Sequence, residues 1–100
     1  MSDQPQFICF LEPTRKEMPD APTPEEAEAI GAHFNYYKDL LAQGTLILAG
    51  RTQEPPHIGI MIFKASDQSS AESIVNNDPV ILAGVFSARI QPYRVALIQK

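Results

Sequence analysis

One hundred residues, 44% apolar and 20% charged, fit one globular domain over residues 1–100 and leave little room for a disordered or membrane class. The net charge of −4, with eight scattered Lys and Arg, argues against a nucleic-acid partner, because binding a polyphosphate depends on clustered cations. A chain this short buries only about two-thirds of the surface its unfolded form exposes, so it can fold alone but gains from a partner.

Residues 1–6 lack the basic start and long apolar run of a signal peptide, and no later run approaches the ~18 residues of a membrane span, so a cytoplasmic protein is expected. Residues 7–11, FICFL, are continuously apolar and bounded by Pro5 and Pro13; so short a run predicts a strand buried on both faces. Cys9, the single cysteine, cannot form an internal disulfide and is expected to be a buried core thiol rather than a nucleophile. Residues 12–22, EPTRKEMPDAP, predict a mobile surface loop. Within it Arg15 is either a solvated loop charge or an arm that reaches over a pocket and holds an anion.

Thr23-Pro24-Glu25-Glu26 joins a Thr N-cap, a proline at the first helical position and a Glu that completes a capping box. The helix is expected to run to about Gln43 and stop at Gly44, which readily takes a left-handed C-terminal conformation. At 100° per residue Ile30, Phe34, Tyr37 and Leu41 form the centre of an apolar stripe, with Leu40 and His33 on its flank. Residues 45–50, TLILAG, are apolar on both parities and predict a second buried strand. Residues 51–56 supply a turn, and residues 58–63, IGIMIF, a third strand paired to the second as a hairpin.

Ser66-Asp67 caps a second helix whose narrow apolar face is Ala71, Ile74 and Val75. Asp78-Pro79 repeats the cap-then-proline signal for one short turn ending at Gly84. Residues 85–98 then alternate, with Phe86, Ala88 and Ile90 on one side and Ser87, Arg89 and Gln91 on the other. After Pro92 the bulky positions change parity to Tyr93, Val95 and Leu97, which predicts a bulge or an edge irregularity.

The order βαββαβ predicts an α+β, ferredoxin-like arrangement: a four-stranded antiparallel sheet with both helices on one face. The first three strands are apolar on both parities, whereas a sheet with one wet face should alternate. The economical cover for the second face is another copy packed sheet against sheet, a homodimer.

Imidazole titrates near neutrality, and His33 is the histidine placed on a structured, half-buried face, so it is either a packed core-edge residue or a proton carrier. His57, in the turn after Pro55-Pro56, is expected to face solvent. Asp78 needs no role beyond its cap, yet a capping carboxylate has a second oxygen that could accept from the His33 ring if the turn folds against the first helix. Tyr36, Arg51, Ser87 and Arg94 are further polar groups near expected pocket edges; Arg51 and Arg94 are alternatively surface or interface cations. One histidine and one aspartate are too few for a metal site, and no phosphate loop, GxSxG or P-loop is present, so neither metal nor cofactor is expected.

The segments HFNYYK (33–38), LILAGR (46–51), NDP (77–79), AGVF (83–86) and QPYRV (91–95) together resemble the YciI-like (YCII-related) proteins over nearly the whole chain. The resemblance implies a ferredoxin-like protomer that dimerises into an α+β barrel, with a pocket between each sheet and its helices. It also implies a catalytic histidine and aspartate, which map onto His33 and Asp78. Some members end the second-strand motif in Gly-Pro where this chain has Gly50-Arg51. The family includes a relative associated with dechlorination of a hydroxyquinol, and the scaffold hosts several unrelated chemistries. Two functions follow as expectations. One is a small cofactor-independent lyase or isomerase acting on a small organic substrate through His33 and Asp78, with Tyr36, Arg15, Arg51 and Ser87 binding substrate. The other is a non-catalytic ligand-binding or accessory dimer.

Overall fold

The apolar run FICFL becomes the middle of β1 (Gln6–Pro13), the strand around which the sheet assembles. A computed structural model describes residues 4–99. After β1 come α1 (Pro24–Ala42), β2 (Leu46–Arg51), β3 (Gly59–Lys64), α2 (Gln68–Asn76), α3 (Pro79–Leu82) and β4 (Phe86–Tyr93). The strands lie in the order β2-β3-β1-β4 and every pairing is antiparallel, giving the expected ferredoxin-like α+β fold. No helix among the described residues is long and apolar enough to cross a membrane.

Strand alternation sorts β1 into two sets. Phe7, Cys9 and Leu11 face the helices and join Met61, Phe63 and Leu46 in one core with Ala29, Tyr37, Ala71, Val75 and Val80. Ile8 and Phe10 point the other way, in register with Ile62 and Ile60. Ile8 and Ile62 are buried, yet both stand apart from the helix-side core.

The caps form as the sequence signals require. Thr23 accepts from the Glu26 N–H while the Glu26 carboxylate accepts from the Thr23 N–H, completing the capping box of α1. Gly44 and Gly84 take positive φ, 80° and 72°, just beyond α1 and α3, where a side chain would be strained.

Four expectations need correction. The inward face of α1 is centred on His33 rather than on the Phe34 and Leu41 stripe, because it follows positions 26, 29, 30, 33, 36, 37 and 40, while Phe34 and Leu41 are exposed. Hydrophobicity alone set the wrong phase: two large apolar residues belong to the outer side, and Lys38 lies 5.7 Å over the Phe34 ring. The segment after β1 is no bare surface loop, since Met18 is buried in the core and the backbone turns back through Met18 N–H to Arg15 and Ala21 N–H to Glu17. β2 is an exposed edge strand after Leu46, not one buried on both faces, and the register irregularity falls here, between Leu46 and Leu48. β4 ends at Tyr93 with unbroken pairing through Pro92, so the parity change after Pro92 marks the end of the strand instead of a bulge. Proline is tolerated there because β4 is an edge.

Candidate active site

Two local rules bring the site together. Asp78 is the N-cap of α3: its side chain must point at the helix start, and Oδ1 accepts from the Val80 N–H at 3.0 Å. α3 packs across α1, so that same carboxylate meets the middle of α1's inward face. There His33 Nδ1 lies 2.9 Å from Oδ1 and 2.8 Å from Oδ2. Asp78 is fully buried and His33 keeps 22% of its side chain accessible.

A carboxylate only accepts, so Nδ1 carries the hydrogen and donates to Asp78. Nε2 is left as the ring's remaining polar atom, with a lone pair when the imidazole is neutral and a transferable proton when it is charged. In this arrangement Asp78 can hold the tautomer and orientation of His33 and can balance an imidazolium charge. Burying an isolated carboxylate is costly, and these hydrogen bonds offset that cost.

The surrounding groups are poor proton carriers at neutral pH. Burial, reinforced by the Asp78 charge, raises the Cys9 thiol to about 12. Burial and then Asp78 also raise Tyr36 and Tyr37 above the ordinary phenol value. The Tyr36 hydroxyl donates to the Ile74 carbonyl at 2.6 Å, bracing α1 against α2. The Tyr37 ring lies 5.0 Å from the His33 ring, edge-on at 61°. Its hydroxyl is buried without a hydrogen-bond partner among the described residues, although the Asp78 carboxylate is near enough for its charge and its side chain to act on the phenol.

The other expected site residues do not converge on this pair. Arg15 is held by Glu26 through Nε at 3.0 Å and Nη2 at 2.7 Å, and also donates to the Ala21 carbonyl, so its fork is engaged at the start of α1. Arg51 ends the exposed edge strand β2, and Ser87 stands opposite Glu12 on β4 with its side chain on the outer face. Arg94 follows β4, where it lines an open depression of about 710 Å³ with Gln6, Tyr93 and Val95. His57 is half-buried in the β2–β3 connection instead of open to solvent. A smaller groove of about 290 Å³ runs between α1 and α3 past Glu28, Ala29, Ala32 and Pro79. It passes beside the His33–Asp78 pair, and neither side chain lines it. Among the described residues no three His, Cys, Asp or Glu side chains converge as metal ligands.

In the sequence Tyr37 reads only as packing. The signal available was its place one turn after His33 on the same face, together with the need of any buried phenol for a partner.

The YCII-related domain matches the chain over residues 6–92. Among solved structures, the 5-chloro-2-hydroxyhydroquinone dehydrochlorinase of Burkholderia phenoliruptrix AC1100, in complex with 2,5-dihydroxybenzoquinone, superposes with a TM-score of 0.70 at 18% identity, covering 89% of this chain and 93% of that one. A conserved protein from Methanosarcina mazei Go1 gives a TM-score of 0.51 at 17% identity, covering 91% and 92%. At these identities the likeness is one of fold. No curated protein matches the chain.

Proposed function

We propose that this chain, which belongs to the YCII-related domain family, is a small cofactor-independent enzyme of lyase or isomerase type that acts as a homodimer and moves a proton with His33. The observation that carries the reading is the two-oxygen contact between His33 Nδ1 and the buried Asp78 carboxylate, at 2.8 and 2.9 Å, with Nε2 left as the ring's other proton site. Neutral His33 takes a proton from an acidic C–H or O–H of a small, partly aromatic or carboxylated substrate through Nε2. Asp78 stabilises the imidazolium that forms. The same Nε2–H then returns the proton to a leaving group or to another carbon, which completes an elimination or an isomerisation without a redox step.

The raised values of Cys9, Tyr36 and Tyr37 support this assignment, since they leave imidazole as the group in the cluster suited to exchanging protons near neutrality. The dehydrochlorinase of similar fold suggests the first compounds to try, small polyhydroxylated aromatics and quinones, with 2,5-dihydroxybenzoquinone as a binding probe.

His33→Ala and His33→Gln test the reading against such a panel. Turnover is expected to fall by about 10²- to 10⁴-fold, the usual contribution of a positioned acid or base, while probe binding by calorimetry largely survives. Unchanged turnover in both variants would refute it. Loss of binding in both, with no turnover in the unaltered protein, would instead support the non-catalytic ligand-binding dimer.

A further inference from the structure

Tyr37 presents a problem of hydrogen-bond accounting. It is 4% exposed, and its hydroxyl is buried without a partner among the described residues. Phenylalanine would fill the same space without that penalty, and orphaned buried hydroxyls are rare because each forfeits the hydration it had in the unfolded chain. The groups whose charge bears on the phenol are Asp78 at the N-cap of α3, Cys9 on β1 and Tyr36 on its own helix, and His33 lies against its ring. Cys9 is a weak acceptor, and the Tyr36 hydroxyl is committed to Ile74.

Asp78 has the capacity to spare. A carboxylate offers about four lone-pair sites. His33 Nδ1 approaches both oxygens, and Val80 N–H takes a second site on Oδ1. One site on Oδ2 is therefore open, on a carboxylate that acts on a phenol lacking an acceptor.

We propose that Tyr37 is a positioning residue of the His33–Asp78 pair, its hydroxyl donating to the open site on Asp78 Oδ2 after a small rotation. This rests on the reading of His33 and Asp78 as a proton-transfer pair. The added donor shares the negative charge of Asp78, so the carboxylate holds the imidazolium less tightly and the proton on Nε2 is easier to give back. Without it Asp78 would act on His33 alone and bias the ring toward its charged form.

The test is an NMR titration of the His33 ring in the unaltered protein, Tyr37→Phe and Asp78→Asn, which needs no substrate. Tyr37→Phe is expected to raise the His33 midpoint by about half a pH unit, roughly a threefold gain in proton affinity. Asp78→Asn is expected to lower it. An unmoved or lowered midpoint in Tyr37→Phe, with a normal response in Asp78→Asn, overturns the role of Tyr37 and leaves the pair standing. An unmoved midpoint in Asp78→Asn overturns both. In the unaltered protein, a slowly exchanging, downfield Tyr37 hydroxyl proton whose shift follows the His33 titration is expected as well. A Tyr37 hydroxyl proton that ignores that titration also overturns the proposal.

Discussion

A carboxylate with no exposed surface persists in a fold only where hydrogen bonds replace its hydration, and among the described residues His33 Nδ1 and Val80 N–H donate to Asp78. The two duties, capping α3 and holding the imidazole, separate by substitution. Asp78→Asn keeps an amide oxygen for the cap and nearly the same shape, so its thermal midpoint should stay close to that of the unaltered protein while His33 loses its charged partner. Asp78→Ala leaves both the Val80 N–H and the His33 N–H without their acceptor, and should cost about 1–3 kcal/mol in urea denaturation. An Ala variant as stable as the Asn variant would show that the cap contributes nothing. The cap was legible from Asp78-Pro79 alone. The contact with His33 was legible only as a possibility, because the 45 residues between them fix no distance and the approach depends on α3 crossing α1. Tyr37 escaped notice because periodicity says which face a residue occupies and nothing about what its hydroxyl meets.

At the scale of the element, the start of α1 is a small electrostatic assembly. Glu26 accepts from the Thr23 N–H and from Arg15, and the Arg15 guanidinium, followed by that backbone N–H, lowers its carboxyl from 4.5 to about 2. The folded-state value is depressed, so the stabilisation is fully present above about pH 4.5 and is lost as pH falls toward 2. Unfolding followed by circular dichroism should therefore show an acid-side decline between those values that is shallower in Glu26→Gln. Parallel curves for the two proteins would mean that the ion pair contributes nothing. The capping box itself is plain in TPEE; its union with Arg15 is not, because a proline- and charge-rich segment predicts a mobile loop. Buried Met18 explains the difference, since one apolar side chain anchored in the core brings Arg15 back over the helix start. Sequence likewise identified β2 as a strand but misjudged its surroundings: TLILAG records that its faces are apolar and does not specify its place at the sheet edge.

For the whole molecule, the outer side of the sheet poses the remaining physical question. Helices cover the face of Phe7, Cys9 and Leu11, while the opposite face carries Ile8, Phe10, Ile60, Ile62 and Leu48 in adjacent register positions. Leu48 is 42% exposed, and Arg89 lies 4.5 Å over the Phe10 ring at the β4 side. A contiguous apolar surface on two central strands is a poor terminus for a monomer, and a second copy related by a two-fold axis would bury it against itself. Light scattering coupled to size exclusion should give twice the 11.1 kDa of one chain. Ile60→Glu places a charge in the middle of that face and should yield a folded chain of monomer mass, because Ile60 points away from the His33–Asp78 side. Thermal stability of the unaltered protein should also rise with concentration, as mass action requires of a coupled dimer. Monomer mass at micromolar concentration, with a midpoint independent of dilution, would refute the dimer and leave the apolar outer face to some other partner. If the unaltered protein runs at dimer mass and turns over a substrate, comparing its turnover with that of the Ile60→Glu monomer decides whether His33 and Asp78, which meet within one protomer, need the second copy.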